Sequence, residues 1–173
     1  GILPLFVDGQ LVASADSYRA IMGNIAREFK RSAMRQRNLE LPSLPAADML
    51  GTGATKAHEW FDLIEQVLDQ NGYASALFAL DEFDAIYAAA ARGRFHEADF
   101  LNILRYLIQH RPRFKVLLTS ARTPSEYSDW ASQLINLQVI HLGPLKDEEA
   151  RQLVEHPTHD FALKYTTRAS QRM

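Results

Sequence analysis

Ala76-Leu77-Phe78-Ala79-Leu80-Asp81-Glu82-Phe83-Asp84 decides how the rest of this chain is read. Five apolar residues run without polar alternation straight into two adjacent carboxylates. Such a run is a strand buried on both faces, the setting of a parallel sheet covered by helices. Asp81 and Glu82 then emerge at the carboxyl end of the strand, where open α/β sheets place their ligands. One carboxylate there can support Mg²⁺ through its water shell, and its neighbour can orient or deprotonate an attacking water. The competing reading is a buried strand that ends in a solvated acidic turn.

The composition sets the class. With 173 residues, 47% hydrophobic and 23% charged, the chain is read as one ordinary globular domain with a real core. A formal net charge of -2 and a pI near 6.3 give no general attraction to nucleic acid or to an anionic membrane. The absence of cysteine excludes a disulfide scaffold or thiolate metal site and fits a reducing, cytoplasmic compartment. No apolar stretch approaches the roughly 18 residues of a membrane span, and no signal-peptide pattern opens the chain. The opening Gly1-Ile2-Leu3-Pro4-Leu5-Phe6-Val7-Asp8 reads as a cut into a strand.

Along the chain, elements alternate. Leu5 to Val7 is predicted as a short strand closed by Asp8-Gly9. Ser14-Ala15-Asp16-Ser17 offers N-cap chemistry, and Tyr18, Ile21, Met22, Ile25 and Phe29 then recur at helical spacing. The basic residues of that helix (Arg27, Lys30, Arg31, Arg35, Arg37) are read first as a solvated face. Leu41 to Gly53 is predicted as loop, followed by a helix with Trp60, Phe61, Ile64, Val67 and Leu68 on one face and its end at Asn71-Gly72. Ala88 to Gly93 is read as a small, flexible stretch. Phe100, Leu101, Leu104, Leu107 and Ile108 mark a third amphipathic helix that stops before Pro112. Phe114 to Ser120 and Val139 to Leu142 are expected strands, and Gly143-Pro144 breaks the chain before a helix led by Asp147, Glu148 and Glu149. This rhythm predicts a parallel α/β sheet. His156, His159 and Asp160 have a spacing a metal can use, but Pro157 interrupts the helix that would align them, so they read as solvated loop. His141 reads as a core or edge residue of its strand, and Trp60 and Trp130 as packing residues.

The order of these segments resembles the nucleotide-binding domain of the STAND class of AAA+-related P-loop ATPases, over roughly residues 3 to 170. The matching pieces are Pro4 to Asp8, Leu77 to Asp84, Asp99 to Arg105, Val116 to Arg122 and His141 to Ala150. The resemblance implies a three-layer parallel sheet of P-loop NTPase type, incomplete because the P-loop strand and most of the lid are missing. Its core would occupy residues 1–143, and a helical lid would begin over 144–173. By the same resemblance Asp81 is similar to the Walker B aspartate that supports Mg²⁺, and Glu82 to the catalytic glutamate. Thr119 and Ser120 are similar to sensor 1, where a hydroxyl reaches the γ-phosphate or its water. Arg122 is similar to the arginine that clamps phosphate oxygens, one residue out of the register of the apoptotic and plant-resistance relatives because Ala121 intervenes. The structural alternatives are that Thr119 and Ser120 cap the strand end and that Arg122 pairs with Glu126.

One piece is missing. No segment has the form G-x-x-x-x-G-K-[ST] that cradles phosphates, and Gly51-Thr52-Gly53-Ala54-Thr55-Lys56 fails in spacing and context and reads as a helix-entry loop. Two functions therefore stand: part of an ATP-hydrolysing signalling switch that uses ATP and Mg²⁺ only in the complete domain, or a non-catalytic interaction module on a degenerate ATPase scaffold. The first makes other domains of the parent chain its partners, and this chain alone inactive. The resemblance also places the P-loop strand between the strand ending at Thr119 and that of Val139 to Leu142. Without it the first three strands pair as a block, Val116 to Leu118 becomes an open edge, and the chain self-associates, pairs Val139–Leu142 against that edge, or belongs to a larger assembly that supplies the strand.

Overall fold

The computed structural model describes residues 1–44, 53–122, 130, 134, 137–156 and 158. Strands β1 (Ile2–Asp8), β2 (Ser75–Asp81) and β3 (Phe114–Leu118) form one sheet in the order β1-β2-β3, parallel throughout. Helices α1 (Gly9–Ala13), α2 (Tyr18–Arg37) and α3 (Gly53–Gln70) separate β1 from β2, and α4 (Phe83–Ala91) and α5 (Glu97–His110) separate β2 from β3. A further helix, α6 (Asp147–Glu155), follows. The chain divides into two compact units, Gly1–Leu137 and Gln138–Met173, and the sheet belongs to the first. The architecture is thus α/β with a small parallel sheet and flanking helices, and the three strands pair in chain order as expected.

Local signals set the helix bounds. Ser17 Oγ accepts the Ala20 N–H (3.3 Å) at the start of α2, and Asn38 closes that helix in a left-handed conformation, with the Asn38 N–H on the Met34 carbonyl and the Leu39 N–H on that of Ala33. After α3 the chain turns at Gly72, whose φ of +70° suits a residue without Cβ. Three predicted apolar positions of α3, Trp60, Phe61 and Ile64, are fully buried. Trp60 stacks on Phe29 of α2, whose ring meets Phe78 of β2 edge-on, and Phe61 meets Phe114 of β3 in the same way. Trp130 is the packing residue the sequence suggests, set among Phe83, Tyr87 and Phe100 with its indole N–H donating to Glu97 (2.9 Å).

The register separates the two faces of the sheet. Leu3, Ala76 and Phe114 align, as do Leu5 with Phe78 and Val7 with Leu80, and all of them are buried. The opposite face carries Ile2, Phe6 and Leu117, which are 54%, 51% and 48% exposed. The central strand is apolar on both faces, as its sequence demands, but the described residues of the first unit build a full core on only one of them. The outer edge of β1 is closed by α2. Ser32, itself buried, accepts the Phe6 N–H (2.9 Å) and donates to the Pro4 carbonyl (3.2 Å).

Four expectations are corrected. Val139 to Leu142 is not a strand: it has no secondary structure, and Val139, Ile140, His141 and Leu142 are all exposed. Its β propensity is met by no strand pairing among the described residues, and a strand is a paired object. His141 is accordingly no core residue. Ala88 to Ala91 is helix, the last turn of α4, because Ile86 and Ala89 bury at helical spacing and alanine is the strongest helix former. Asp8-Gly9 does not merely close β1. The Asp8 carboxylate accepts the Gln10 N–H (2.8 Å) and starts α1. Of the histidine group, His156 ends α6 ahead of Pro157, and His159 and Asp160 lie outside the described residues.

Candidate functional site

The three parallel strands bring their carboxyl ends to one edge of the sheet. Asp8 ends β1 and lies opposite Asp81, the last residue of β2, while Thr119 follows β3. Thr119 joins β3 to β2: its N–H donates to the Leu80 carbonyl (3.0 Å), its carbonyl accepts the Phe83 N–H (2.9 Å), and its hydroxyl donates to Asp81 Oδ1. Asp81 Oδ1 also accepts the Glu82 N–H (3.0 Å). One carboxylate oxygen is therefore held by two donors, and Oδ2 has no hydrogen-bond partner among the described residues.

Glu82 is the conformational outlier. Its φ of 52° and ψ of 49° place it in the left-handed region, where among the described non-glycine residues it is joined only by Asn38. Asparagine visits this region readily, whereas an ordinary L side chain costs about 1–2 kcal/mol there. The cause is the immediate passage from β2 into α4. Glu82 occupies the N-cap position, yet its side chain makes no capping bond and its carboxylate is exposed. Gly9 fits against this turn from the next strand end. A Cβ on Gly9 would lie inside contact distance of the Asp81 and Glu82 carbonyl oxygens, so the acid pair sits where it does because residue 9 has no side chain.

Ser120 Oγ reaches Asp84 Oδ1 at 3.5 Å and accepts the Arg122 N–H at 3.0 Å. Arg122 is exposed, and its side chain makes no ion pair with a described residue; Glu126, its expected partner, lies outside the described residues. The structure thus brings Asp81, Glu82 and Thr119 into direct contact, places Ser120 beside them through Asp84, and leaves the Arg122 guanidinium unassigned. Asp8, Gly9 and Asp84 join this edge without being singled out by sequence. The available signal was the register, which follows once β1 and β2 are known to be parallel.

The edge gathers four carboxylates, Asp8, Asp81, Glu82 and Asp84, and none forms an ion pair with a described residue. Among the described residues no group of three or more His, Asp or Glu side chains can enclose a metal ion. Carboxylate oxygens are the donor type of hard cations, which Mg²⁺ takes up with most of its water retained. This donor set does not supply a phosphate cradle.

A concave feature lies among α2, α3 and α5, a cavity of about 540 Å³ bordered by Tyr18, His58, Phe61, Asp99, Asn102 and Tyr106. His58 stacks flat on Tyr106 (3.6 Å between ring centroids, 8° between planes). Arg111 fixes both, donating to the Tyr106 hydroxyl (2.6 Å) and the His58 carbonyl (3.1 Å) while pairing with Asp62. Partial burial, with the Arg111 charge next in size and His110 a smaller contribution, pushes the His58 pKa below its usual 6.5, against the pull of Asp62. Burial, aided by Asp99, raises that of Tyr18. For Arg111 burial opposes the charge, but hydrogen bonds to Asp62 and Tyr106 outweigh it and the pKa rises. This assembly pins the end of α5 to α3 and includes none of the sequence-predicted site residues.

Compared with known protein families, with curated proteins and with solved structures, the chain matches none. No helix of the described residues is long and apolar enough to cross a membrane.

Proposed function

We propose that this chain carries the metal-supporting and water-activating part of a nucleotide-hydrolysing switch of the P-loop type, with Asp81 and Glu82 as its acidic pair. The observation that carries the reading is the turn at Glu82: an exposed carboxylate in a strained backbone conformation, on the carboxyl end of the central strand, beside an aspartate already held by Thr119. Strain of this kind concentrates where a side chain must be aimed. The parallel β1-β2-β3 order and the ligand end of the sheet agree with the STAND-like resemblance.

The residues divide the work by geometry. Asp81 presents Oδ2 while Thr119 and the Glu82 N–H hold Oδ1, which fixes the carboxylate plane. Glu82 is the group placed to accept a proton from water, and its freedom from capping leaves the carboxylate available. In this reading the Ser120 hydroxyl serves the γ-phosphate or its water and the Arg122 guanidinium the phosphate oxygens, roles that rest on the resemblance. A bound Mg²⁺ would supply charge neutralisation for phosphate.

Such a switch needs a phosphate-binding loop, and no stretch of the 173 residues provides one. The chain by itself is therefore expected to bind Mg-ATP no tighter than about millimolar and to show no turnover. Titration calorimetry that returned micromolar affinity would reveal a phosphate site elsewhere in the chain. In a protein where this domain is joined to a phosphate-binding loop, Glu82→Gln leaves Mg-ATP binding intact and lowers turnover by roughly 10²–10⁴. Asp81→Ala weakens binding instead. Equal loss of binding in both variants sinks the role assignment. The lack of a phosphate loop favours one other reading, a non-catalytic interaction module on the same scaffold, and it stands if Glu82→Gln leaves turnover unchanged.

A further inference from the structure

The two edges of the sheet are treated differently. On β1, Ser32 occupies the outward Phe6 N–H and Pro4 carbonyl, so that edge cannot accept another strand. On β3, alternate residues face β2: the Arg113 carbonyl accepts the Ala76 N–H (2.9 Å), and the Thr119 N–H donates to Leu80 (3.0 Å). In a parallel pair this parity gives Lys115 and Leu117 to β2 and turns the backbone of Phe114, Val116 and Leu118 away from it. The Phe114 N–H is taken by the Arg111 carbonyl (2.8 Å). The N–H and C=O of both Val116 and Leu118 and the Phe114 carbonyl remain, and none has a partner among the described residues. No proline or bulge interrupts Phe114–Leu118, and its open-face residue Leu117 is apolar and about half exposed. An open apolar edge of this kind invites pairing.

We propose that β3 is a homodimer seam: a second copy of this chain pairs its own β3 antiparallel to the first, about a two-fold axis through Val116. The strand is self-complementary in that register. Val116 meets Val116 as a hydrogen-bonded pair, and Phe114 meets Leu118 of the other copy, giving about four backbone hydrogen bonds from groups that are otherwise unpaired. Lys115, the one charge on the strand, falls opposite Leu117 and not opposite its own copy, so the register avoids a direct like-charge contact. The two sheets become one, with their buried faces on the same side and the half-exposed Ile2, Phe6 and Leu117 continuing across the seam. The inference stands on the edge alone; the phosphate-loop strand that the nucleotide reading requires would compete with the second copy for that same edge.

The chain has no cysteine of its own, which makes the register directly testable. In a hydrogen-bonded antiparallel pair the Cα atoms are about 5.5 Å apart, within disulfide reach. Under mild oxidation Val116→Cys is expected to cross-link to itself at least about tenfold faster than Lys115→Cys, whose self-partner is out of register. Sedimentation should show a concentration-dependent dimer, and Val116→Pro, which removes an N–H that β2 does not use, should weaken dimerisation by at least about tenfold. Hydrogen exchange of the unaltered chain gives a readout that no variant can confound. The Val116 and Leu118 amides slow as concentration rises. A monomer at every concentration overturns the seam, whether those amides exchange fast or are protected by the chain itself. A dimer that ignores Val116→Pro and yields no preferential cross-link at residue 116 is built on another surface and overturns it equally.

Discussion

The Thr119 hydroxyl donates to Asp81 Oδ1, so the residue that leaves β3 holds the carboxylate that ends β2 across a separation of 38 residues. This bond makes the loop after β3 and the acidic turn one structural unit, and it is the contact through which a ligand at Asp81 would be felt at residues 119–122. Thr119→Val keeps the shape and removes the donor. It is expected to lower stability by about 0.5–1.5 kcal/mol in urea unfolding, with Thr119→Ser restoring most of it. A valine variant as stable as the parent, or a serine variant no better than valine, would mean that the bond contributes nothing.

Glu82 supplies a prediction of opposite sign. At φ 52° a glutamate is strained and a glycine is not, so Glu82→Gly is expected to gain about 1 kcal/mol from relief of strain, less the entropy glycine adds to the unfolded chain. Glu82→Gln keeps the strain and should fall within about 0.5 kcal/mol of the parent. A stabilising glycine at the position of the proposed base is the pattern of a residue kept for chemistry over stability. If Glu82→Gly is clearly destabilising, the side chain holds the turn together and the functional reading loses its main support.

Much of the scaffold was legible because its signals are local. The apolar run of β2, the Ser17 cap, the Asn71-Gly72 ending of α3 and the face of Trp60, Phe61 and Ile64 each follow from a few neighbouring residues. What escaped depends on partners far along the chain. Val139–Leu142 has strand propensity but pairs with no strand among the described residues. The left-handed turn at Glu82 is imposed by the β2–α4 junction and the approach of Gly9, not by any preference of glutamate. The Arg111–Asp62 pair, which organises the end of α5, spans 49 residues of sequence. At the candidate site, the acid pair was readable from its own strand, while Asp8, Gly9 and Asp84 became visible only with the register.

Ser32 tests whether the β1 edge is closed by design of the sequence or by coincidence of packing. Ser32→Ala leaves the Phe6 N–H and the Pro4 carbonyl without their partner in a buried setting. The expected loss is about 1–3 kcal/mol, the cost of stranded backbone groups. The Phe6 amide should also exchange faster with solvent in the variant, which distinguishes an opened edge from a general loss of packing. Unchanged Phe6 protection would show that α2 covers the edge without the hydroxyl.

The His58–Tyr106–Arg111 assembly gives stability a pH dependence whose sign follows from the direction of one shift. Partial burial first, then the Arg111 charge and to a lesser extent His110, hold the folded His58 pKa below 6.5, and Asp62 only partly opposes them. Above pH 6.5 the imidazole is neutral in both folded and unfolded chains and costs nothing. As pH falls below that value the unfolded chain takes up its proton first, so stability declines with falling pH until the folded state is protonated as well. His58→Gln should therefore flatten the fall in melting temperature between pH 6.5 and about pH 5, ahead of the main carboxylate titrations. The same variant loses the flat stack on Tyr106 and should be less stable than the parent at pH 7.5 by about 0.5–1.5 kcal/mol. The two melting profiles must then converge toward the acid end. Parallel profiles would show that His58 titrates alike in both states, and that the charge of Arg111 does not reach it.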